Sequence, residues 1–279
     1  MADRHNTEPL PVLLHLHVPK TAGLALNDVI LAAYGDPGWT VSDDGHLVKG
    51  VYYVHAGIEH RFVPDENARQ ILSGRDIHAV VGHFSFGIHE LVNRPCRYVT
   101  LLRHPVDRVV SLYRHIQAWD HESVHEEVIR KNLTLEQFVS DLEFPEVDNG
   151  QVRRISGLER AFGKCDQGML ETAIHNMTEH ITVAGLTERY VESVLLMKHR
   201  LGWPRLPELK KTNVNMRRPE KAPSESACSL IIERNSLDME LYRLAEERLQ
   251  RQIEQAGRPY LADLVAIGET AVSNSLTTP

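Results

Sequence analysis

A strand, a short basic turn and a helix follow one another twice in this chain, and this repeated order constrains its fold most. In "LLHLHVPKTAGLALNDVI" the apolar run 12–18 stops at a proline, Lys20 lies in the turn, and Leu, Val and Ile recur at helical spacing. "RYVTLLRHPVDRVVSLYRHIQAW" repeats the order, with a strand at 98–102, a polar turn and a helix. Strands that alternate with helices predict an α/β fold in which helices cover a parallel sheet.

The remaining segments indicate a single domain. "DENARQILS" predicts a short helix, "DIHAVVGHF" a strand, and "LTLEQFVSDL" a helix in which Thr134 and Gln137 form a capping box. The C-terminal half is mostly helical, apart from the basic, proline-rich segment "PRLPELKKTNVNMRRPEKAPS", which we interpret as a functional loop or lid. We expect one domain at 11–267 between flexible tails at 1–10 and 268–279.

The composition argues against several classes of protein. The 279 residues include 31 Lys and Arg against 38 Asp and Glu, and the formal net charge of −7 disfavours a general affinity for nucleic acid or anionic membranes. The N-terminus lacks a signal-peptide pattern and no apolar run is long enough to span a bilayer, so we expect a cytoplasmic protein. Three widely spaced cysteines agree with reduced thiols in that compartment.

Each of the two turns carries a basic residue that could bind a phosphate. Lys20 and Arg103 each follow a strand and precede a helix, and ligands of open parallel sheets bind outside the carboxyl ends of the strands. The N–H groups and dipole of each helix N-terminus also favour an anion there. Ser111 lies about two helical turns after Arg103. Two separate sites predict a ligand with two separated phosphates, which disfavours ATP, and the signature G-x-x-x-x-G-K-[ST] is absent.

Two histidines of the first strand invite a metal hypothesis. His15 and His17 point to the same side of the strand, as metal ligands sometimes do. No Cys-x-x-Cys motif is present to complete a site with them. We therefore expect packed or hydrogen-bonded histidines and no metal.

Several segments resemble the sulfotransferases. "HVPKTAG" looks like their 5′-phosphosulfate loop, and "LLRHPVDRVVSLY" looks like their 3′-phosphate loop and helix. These motifs most resemble those of heparan sulfate 2-O- and 6-O-sulfotransferases and of bacterial carbohydrate sulfotransferase-like enzymes. With "VVGHFSFG", "NGQVRRISG", "AGLTERYVESVLLMKHRLGW" and "LDMELY", the resemblance extends over 13–249.

The resemblance implies a P-loop-like fold and 3′-phosphoadenosine 5′-phosphosulfate as the sulfuryl donor. A lysine would hold the bridging oxygen, the first loop would cradle the 5′-phosphate, and an arginine and a serine would bind the 3′-phosphate. The implied donor-binding residues are Lys20, Thr21, Ala22, Gly23, Leu24, Ala25, Arg103 and Ser111.

This chain departs from the family pattern in both loops. The first loop commonly continues with a second glycine and then Thr-Ser, whereas here Ala22, Leu24 and Ala25 stand at these positions. The second loop usually has aspartate after its arginine, and here the residue is His104. Backbone N–H groups must then replace two hydroxyls.

His83 is the candidate catalytic base. It closes the strand "AVVGHF" at the carboxyl edge of the sheet, it matches a catalytic histidine of the 2-O-sulfotransferases, and imidazole suits deprotonation of an alcohol near neutral pH. The alternative is a strand-end histidine that only orders its loop. His104 is a weaker contender for the base. Lys20 would stabilise the leaving phosphate, so that the chemistry requires no metal.

Further residues are candidates for the acceptor side and for a lid. Alternate residues of "NGQVRR" would face one side if the segment were extended, and nearby aromatic residues could shape a pocket. The alternatives are core packing for the aromatic residues, a solvated polar loop for "NGQVRR", and a surface charge run for the lid arginines. The acceptor-side candidates are Phe84, Phe86, His89, Asn149, Gln151 and Arg153, and the candidate lid residues are Arg217 and Arg218.

The sequence therefore predicts a sulfotransferase that acts on an alcohol, with a carbohydrate hydroxyl as the favoured acceptor and adenosine 3′,5′-bisphosphate as the nucleotide product. Lipid and small-metabolite alcohols stay open as acceptors. An ATP-dependent P-loop kinase and a non-catalytic nucleotide-binding protein are the alternatives from other classes. The acceptor, the position sulfated and the oligomeric state do not follow from the sequence.

Overall fold

The computed structural model of the chain describes residues 11–34, 47–48, 50–54, 64–120, 124–206, 209 and 222–276. At 47–48 and 268–276 the description is of the backbone alone. The candidate lid residues Arg217 and Arg218 and the expected tail at 1–10 lie outside the described residues.

Six strands form one sheet in the order β2-β3-β4-β1-β5-β6. Neighbouring strands are parallel except for β2, which pairs antiparallel with β3 at the edge. This arrangement confirms the predicted α/β fold with a parallel sheet. The strands are β1 (Val12–Leu16), β2 (Leu47–Val48), β3 (Val51–Val54), β4 (Ala79–Gly82), β5 (Cys96–Leu102) and β6 (Ile181–Leu186).

Helices pack around this sheet and make up most of the C-terminal half. None of the described helices is both long and apolar enough to cross a membrane. The helices are α1 (Gly23–Tyr34), α2 (Glu66–Ser73), α3 (Pro105–Ala118), α4 (His125–Arg130), α5 (Leu135–Ser140), α6 (Gly150–Ser156), α7 (Gln167–Glu179), α8 (Tyr190–Leu201), α9 (Glu225–Arg234), α10 (Ser236–Glu254) and α11 (Gly257–Leu276), with short 3-10 turns at Ile88–Leu91, Pro145–Val147 and Thr187–Arg189.

The central strand explains why both faces of the sheet are covered. All five residues of β1 are buried, because this strand lies in the interior of the sheet and parallel strands of this kind are apolar on both faces. Local signals also agree with the structure. The predicted capping box is present at α5, where Thr134 accepts from the N–H of Gln137 and the Gln137 side chain accepts from the N–H of Thr134.

The structure differs from the expectations at two points. The segment before α8 contains β6, which pairs in parallel with β5 inside the half that we expected to be mostly helical. The arrangement considered for "NGQVRR", in which alternate residues would share a face if the segment were extended, does not occur, because this segment forms α6. The backbone of α11 continues to Leu276, and the expected flexibility of the tail at 268–279 stays a prediction.

Two helices far apart in sequence cap each other. The side-chain oxygen of Asn149, which precedes α6, accepts from the N–H groups of Leu237 (2.9 Å) and Asp238 (3.1 Å) in the first turn of α10. In return, the Asp238 carboxylate accepts from the N–H groups of Gln151 (3.1 Å) and Val152 (2.8 Å) in the first turn of α6. Each helix start therefore supplies the capping acceptor that the other needs.

A buried ion network surrounds this pair of caps. The fully buried Arg108 lies 3.1 Å from a Glu146 oxygen and 3.9 Å from Asp238, and Arg154 contacts the second Glu146 oxygen at 2.9 Å. Burial raises the pKa of Asp238, and the positive charge of Arg108 opposes that rise. Because buried charges are tolerated only with partners, the network fixes α3, α6 and α10 together.

We predict that replacing Asn149 destabilises the fold in two separable ways. Asn149→Gly leaves two N–H groups of α10 without their acceptor and should lower the free energy of unfolding by about 1–3 kcal/mol. Asn149→Ala should cost about 1 kcal/mol more, because Asn149 is left-handed with φ 53°. Urea unfolding measures both changes.

Asn132 provides the matched control for this prediction. It is also left-handed, with φ 47°, but it is exposed and does not cap α10. Asn132→Gly should change the free energy of unfolding by less than about 0.5 kcal/mol. Equal effects of glycine at both positions would contradict the role given to the Asn149 side chain.

Candidate active site

The two basic turns lie side by side at the carboxyl edge of the sheet. They follow β1 and β5, which are neighbours, and the Thr100 hydroxyl donates to the carbonyl of Leu16 at 2.7 Å between these strands. The guanidinium of Arg103 donates to the carbonyl of Lys20 at 3.2 Å. The structure therefore brings the two predicted phosphate-binding residues together.

The backbone of the first turn contains two left-handed residues that are not glycine. Lys20 (φ 68°) and Ala22 (φ 65°) are left-handed, whereas the intervening Thr21 and the following Gly23 are not. Turns that include left-handed residues are the setting in which successive N–H groups form the nests that bind phosphate. The first turn of α1 carries no acidic residue, so no carboxylate there repels an anion.

The side chains of the first turn take different positions. Thr21 is fully buried and its hydroxyl donates to the carbonyl of Val18 at 2.8 Å, so that its proton is committed within the turn. Leu24 is 65% exposed at the start of α1, whereas Ala25 is buried. Any phosphate contact from these residues must come from the backbone.

The second turn is held by hydrogen bonds between its main chain and the side chains of other segments. The N–H of Arg103 donates to the Gln151 side-chain oxygen at 3.0 Å, and the Gln151 amide donates back to the carbonyl of Arg103 at 2.9 Å. The N–H of His104 donates to Glu188 at 2.9 Å. The N–H groups of Arg103 and His104, which precede α3, are therefore bonded to protein groups, and the side chains of Arg103 and Ser111 are the candidates for binding a phosphate here.

A comparison with protein families agrees with this geometry. The model of the sulfotransferase family matches residues 3–245, which is most of the chain. The chain belongs to the sulfotransferase family. No curated protein matches it at a significant level. The chain is accordingly an enzyme that transfers sulfuryl groups, and the two turns at the sheet edge are its candidate donor site.

The candidate base of the sulfotransferase lies next to the first turn. His83 directly follows β4, and its ring centroid is 4.4 Å from that of His17, which directly follows β1. The His17 ring in turn packs against Gly23 at the start of α1. His104, the weaker contender, is placed differently: its ring lies 5.5 Å from that of Tyr242, beside the second turn.

The two strand histidines are packed in the interior, as expected. The Nδ1 of His15 is 2.5 Å from the side-chain oxygen of Asn27, and burial lowers the pKa of His15 to about 4. Burial also lowers the pKa of His17 well below its ordinary value, with smaller contributions from His83 and other nearby charges. In the described part of the chain no three His, Cys, Asp or Glu side chains are grouped to hold a metal ion.

The aromatic candidates for the acceptor side are packed into the protein. Phe84 is 1% exposed and belongs to the core. Phe86 stacks on Tyr98 at 4.9 Å, and the Nδ1 of His89 is 2.9 Å from the Tyr98 hydroxyl. His180, which immediately precedes β6, completes this group and marks the amino-terminal end of the strands. The packing therefore provides no support for these three residues as acceptor contacts.

The polar candidates around α6 serve the scaffold. Asn149 caps α10, and Gln151 is buried against the main chain of Arg103. Arg153 pairs with the carboxylate of Asp148 and donates to the carbonyls of residues 160 and 161. The solvated polar loop considered for this segment is wrong for Asn149 and Gln151, because both are buried.

Two residues that border the site, Glu188 and His115, were not among the predicted site residues. Gln151 was a predicted acceptor-side residue, but it instead holds the second turn together with Glu188 through the N–H groups of the turn, a long-range contact that no local pattern reveals. His115 is half-buried, and burial, followed by the charge of Lys20, lowers its pKa to about 4. Its spacing of four residues from Ser111 places both on one helix face, and this signal could have found it.

We predict that Ala22→Gly stabilises the sulfotransferase. Glycine adopts φ 65° without the steric cost that alanine pays, so the free energy of unfolding should rise by about 1 kcal/mol. Ala25→Gly is the matched control. It lies within α1, where glycine should lower the free energy of unfolding by about 1 kcal/mol. Urea unfolding that gave the same sign for both would contradict the left-handed turn.

We predict a loss of stability between pH 6.5 and 4 that depends on His15. Its pKa is about 6.5 in the unfolded chain and about 4 when folded. Its contribution is therefore complete above pH 6.5 and is lost as the pH falls toward 4, by up to about 1.4 kcal/mol per unit. Urea unfolding of His15→Asn should show a shallower slope over this range. At pH 8 the difference in the free energy of unfolding between the variant and the wild type reports the effect of packing alone. An unchanged slope of this free energy against pH would exclude His15 as a source of the pH dependence.

Proposed function

We propose that this sulfotransferase transfers the sulfuryl group of 3′-phosphoadenosine 5′-phosphosulfate to an alcohol, and that the acceptor is a carbohydrate hydroxyl. The observation that carries the donor assignment is the contact between the Arg103 guanidinium and the carbonyl of Lys20, which joins two basic strand-end turns. A nucleotide with a 5′-phosphosulfate and a separate 3′-phosphate suits such a pair. The carbohydrate assignment rests on the sequence resemblance.

The first turn would receive the 5′ end of the donor. Its residues at 20 and 22 are left-handed, as in turns that form phosphate-binding nests, and Lys20 adds a positive charge. The second turn would receive the 3′-phosphate through the planar fork of Arg103 and the hydroxyl of Ser111. Arg103 remains a cation at neutral pH even though burial lowers its pKa, and the charges of Asp107 and Glu188 oppose that shift.

The chain's residues would then divide the work of the transfer. His83 takes the proton of the acceptor hydroxyl as its oxygen forms the new bond to sulfur. Lys20 stabilises the negative charge that develops on the 5′-phosphate oxygen as its bond to sulfur breaks. The products are the sulfate ester and adenosine 3′,5′-bisphosphate, and the proton is carried by His83.

The donor assignment is tested by ligand-induced thermal stabilisation. Adenosine 3′,5′-bisphosphate should raise the melting temperature by a few degrees at about a hundred times its Kd, which corresponds to about 2.7 kcal/mol. Adenosine 5′-monophosphate should give a smaller shift, since it lacks the 3′-phosphate. A larger shift with ATP and magnesium would overturn the donor assignment and favour a kinase.

Variants of Arg103 and His83 separate binding from chemistry. Arg103→Ala should weaken the bisphosphate about 10- to 100-fold, because a hydrogen bond to a charged group contributes about 1.5–3 kcal/mol. His83→Ala should bind the bisphosphate like the wild type while kcat with the donor and a panel of alcohols falls about 10²- to 10⁴-fold. Arg130→Ala, an exposed change on α4, is the control for both assays. Full activity of His83→Ala would exclude His83 as the base.

A further inference from the structure

His17 lies between the first turn and the candidate base. It is the residue after β1 and is 4% exposed. One side of its ring packs on Gly23, and its centroid is 4.4 Å from that of His83. The N–H of His17 also donates to the carbonyl of Gly82 at 3.0 Å, and Gly82 directly precedes His83. The ring and the backbone of His17 therefore connect the first turn to His83.

The contact with Gly23 leaves no space for a side chain there. A Cβ atom at position 23 would lie 1.8 Å from Cδ2 and 2.2 Å from Nε2 of the His17 ring. These separations are far below van der Waals contact, so the ring occupies the space in which the side chain of residue 23 would begin. The glycine at this position is therefore explained by the ring and not by backbone conformation, since its φ is not positive.

The electrostatics of the site assign His17 a role other than proton transfer. The titratable and charged groups around it are His15 on the same strand, Lys20 in the first turn, His83 after β4 and Arg154 on α6. Burial and these groups hold its pKa well below the ordinary value. Because burial and these groups disfavour protonation of His17, we assign its contact with His83 to positioning and not to proton transfer.

We propose that His17 is a positioning residue that sets the separation between the donor turn and His83. This inference rests on the proposed function, because it concerns the distance between the group that stabilises the leaving phosphate and the group that deprotonates the acceptor. In-line transfer needs that geometry to within about 0.5 Å. A misplacement of about 1 Å can lower the rate about 100-fold.

A double-mutant cycle between His17 and Gly23 tests the proposal. His17→Ala removes the ring that separates the first turn from His83. It should lower kcat at least 10-fold, while the Kd for adenosine 3′,5′-bisphosphate changes less than 3-fold. Gly23→Ala should also lower kcat at least 10-fold, because its new methyl group displaces the ring. In the His17→Ala background the same Gly23→Ala change should alter kcat less than 2-fold, since the ring is gone.

Two further variants distinguish positioning from a general loss of structure. His17→Phe restores a ring of similar size and should keep kcat within 3-fold of the wild type, and Gly23→Ala in this background should again lower kcat at least 10-fold. This arm also carries the test if His17→Ala does not fold. His78→Ala is the control, because this exposed histidine directly precedes β4 at the other end of the same strand, and it should leave kcat unchanged.

The proposal is overturned if His17→Ala and His17→Phe lower kcat equally, or if Gly23→Ala has the same effect whether or not the ring is present. Wild-type kcat in His17→Ala would overturn it as well. Failure of the proposed function looks different, because the wild type itself would then neither bind the bisphosphate nor turn over with any alcohol.

Discussion

The pairing between the Gln151 side chain and the main chain of Arg103 is the contact on which the site most depends. It fixes the second turn to α6, and the other end of the same short helix accepts a hydrogen bond from the N–H of Phe86 through the carbonyl of Arg154 at 2.9 Å. One helix therefore holds both the second turn and the loop that begins at His83. Asp238 of α10 caps the start of α6, so this helix is in turn fixed to α10.

The site combines a rigid scaffold with local strain. Lys20 and Ala22 adopt left-handed conformations that cost non-glycine residues free energy, and the neighbouring strands hold the turn in place. The buried charges behind the second turn, Arg108 and Arg154, are both paired with Glu146. Positioning and preset charge are the means by which such enzymes accelerate group transfer.

The sequence predicted the elements whose signals are local. The two strand–turn–helix units follow from apolar runs that are each followed by a turn and a proline, and the capping box at Thr134 follows from its spacing to Gln137. β6 was missed because its short sequence "ITVAGL" becomes a strand through pairing with β5. The role of Gln151 was missed because its partner lies 48 residues away, and packing that distant in sequence leaves no local pattern.

The most direct test of the account is a crystal structure of the chain with adenosine 3′,5′-bisphosphate bound. The account predicts that the 5′-phosphate lies on the backbone N–H groups of 20–25 beside the Lys20 ammonium. It predicts that the 3′-phosphate lies within hydrogen-bonding distance of the Arg103 guanidinium and the Ser111 hydroxyl. A 3′-phosphate that contacts neither residue, or a nucleotide bound elsewhere on the chain, would contradict it.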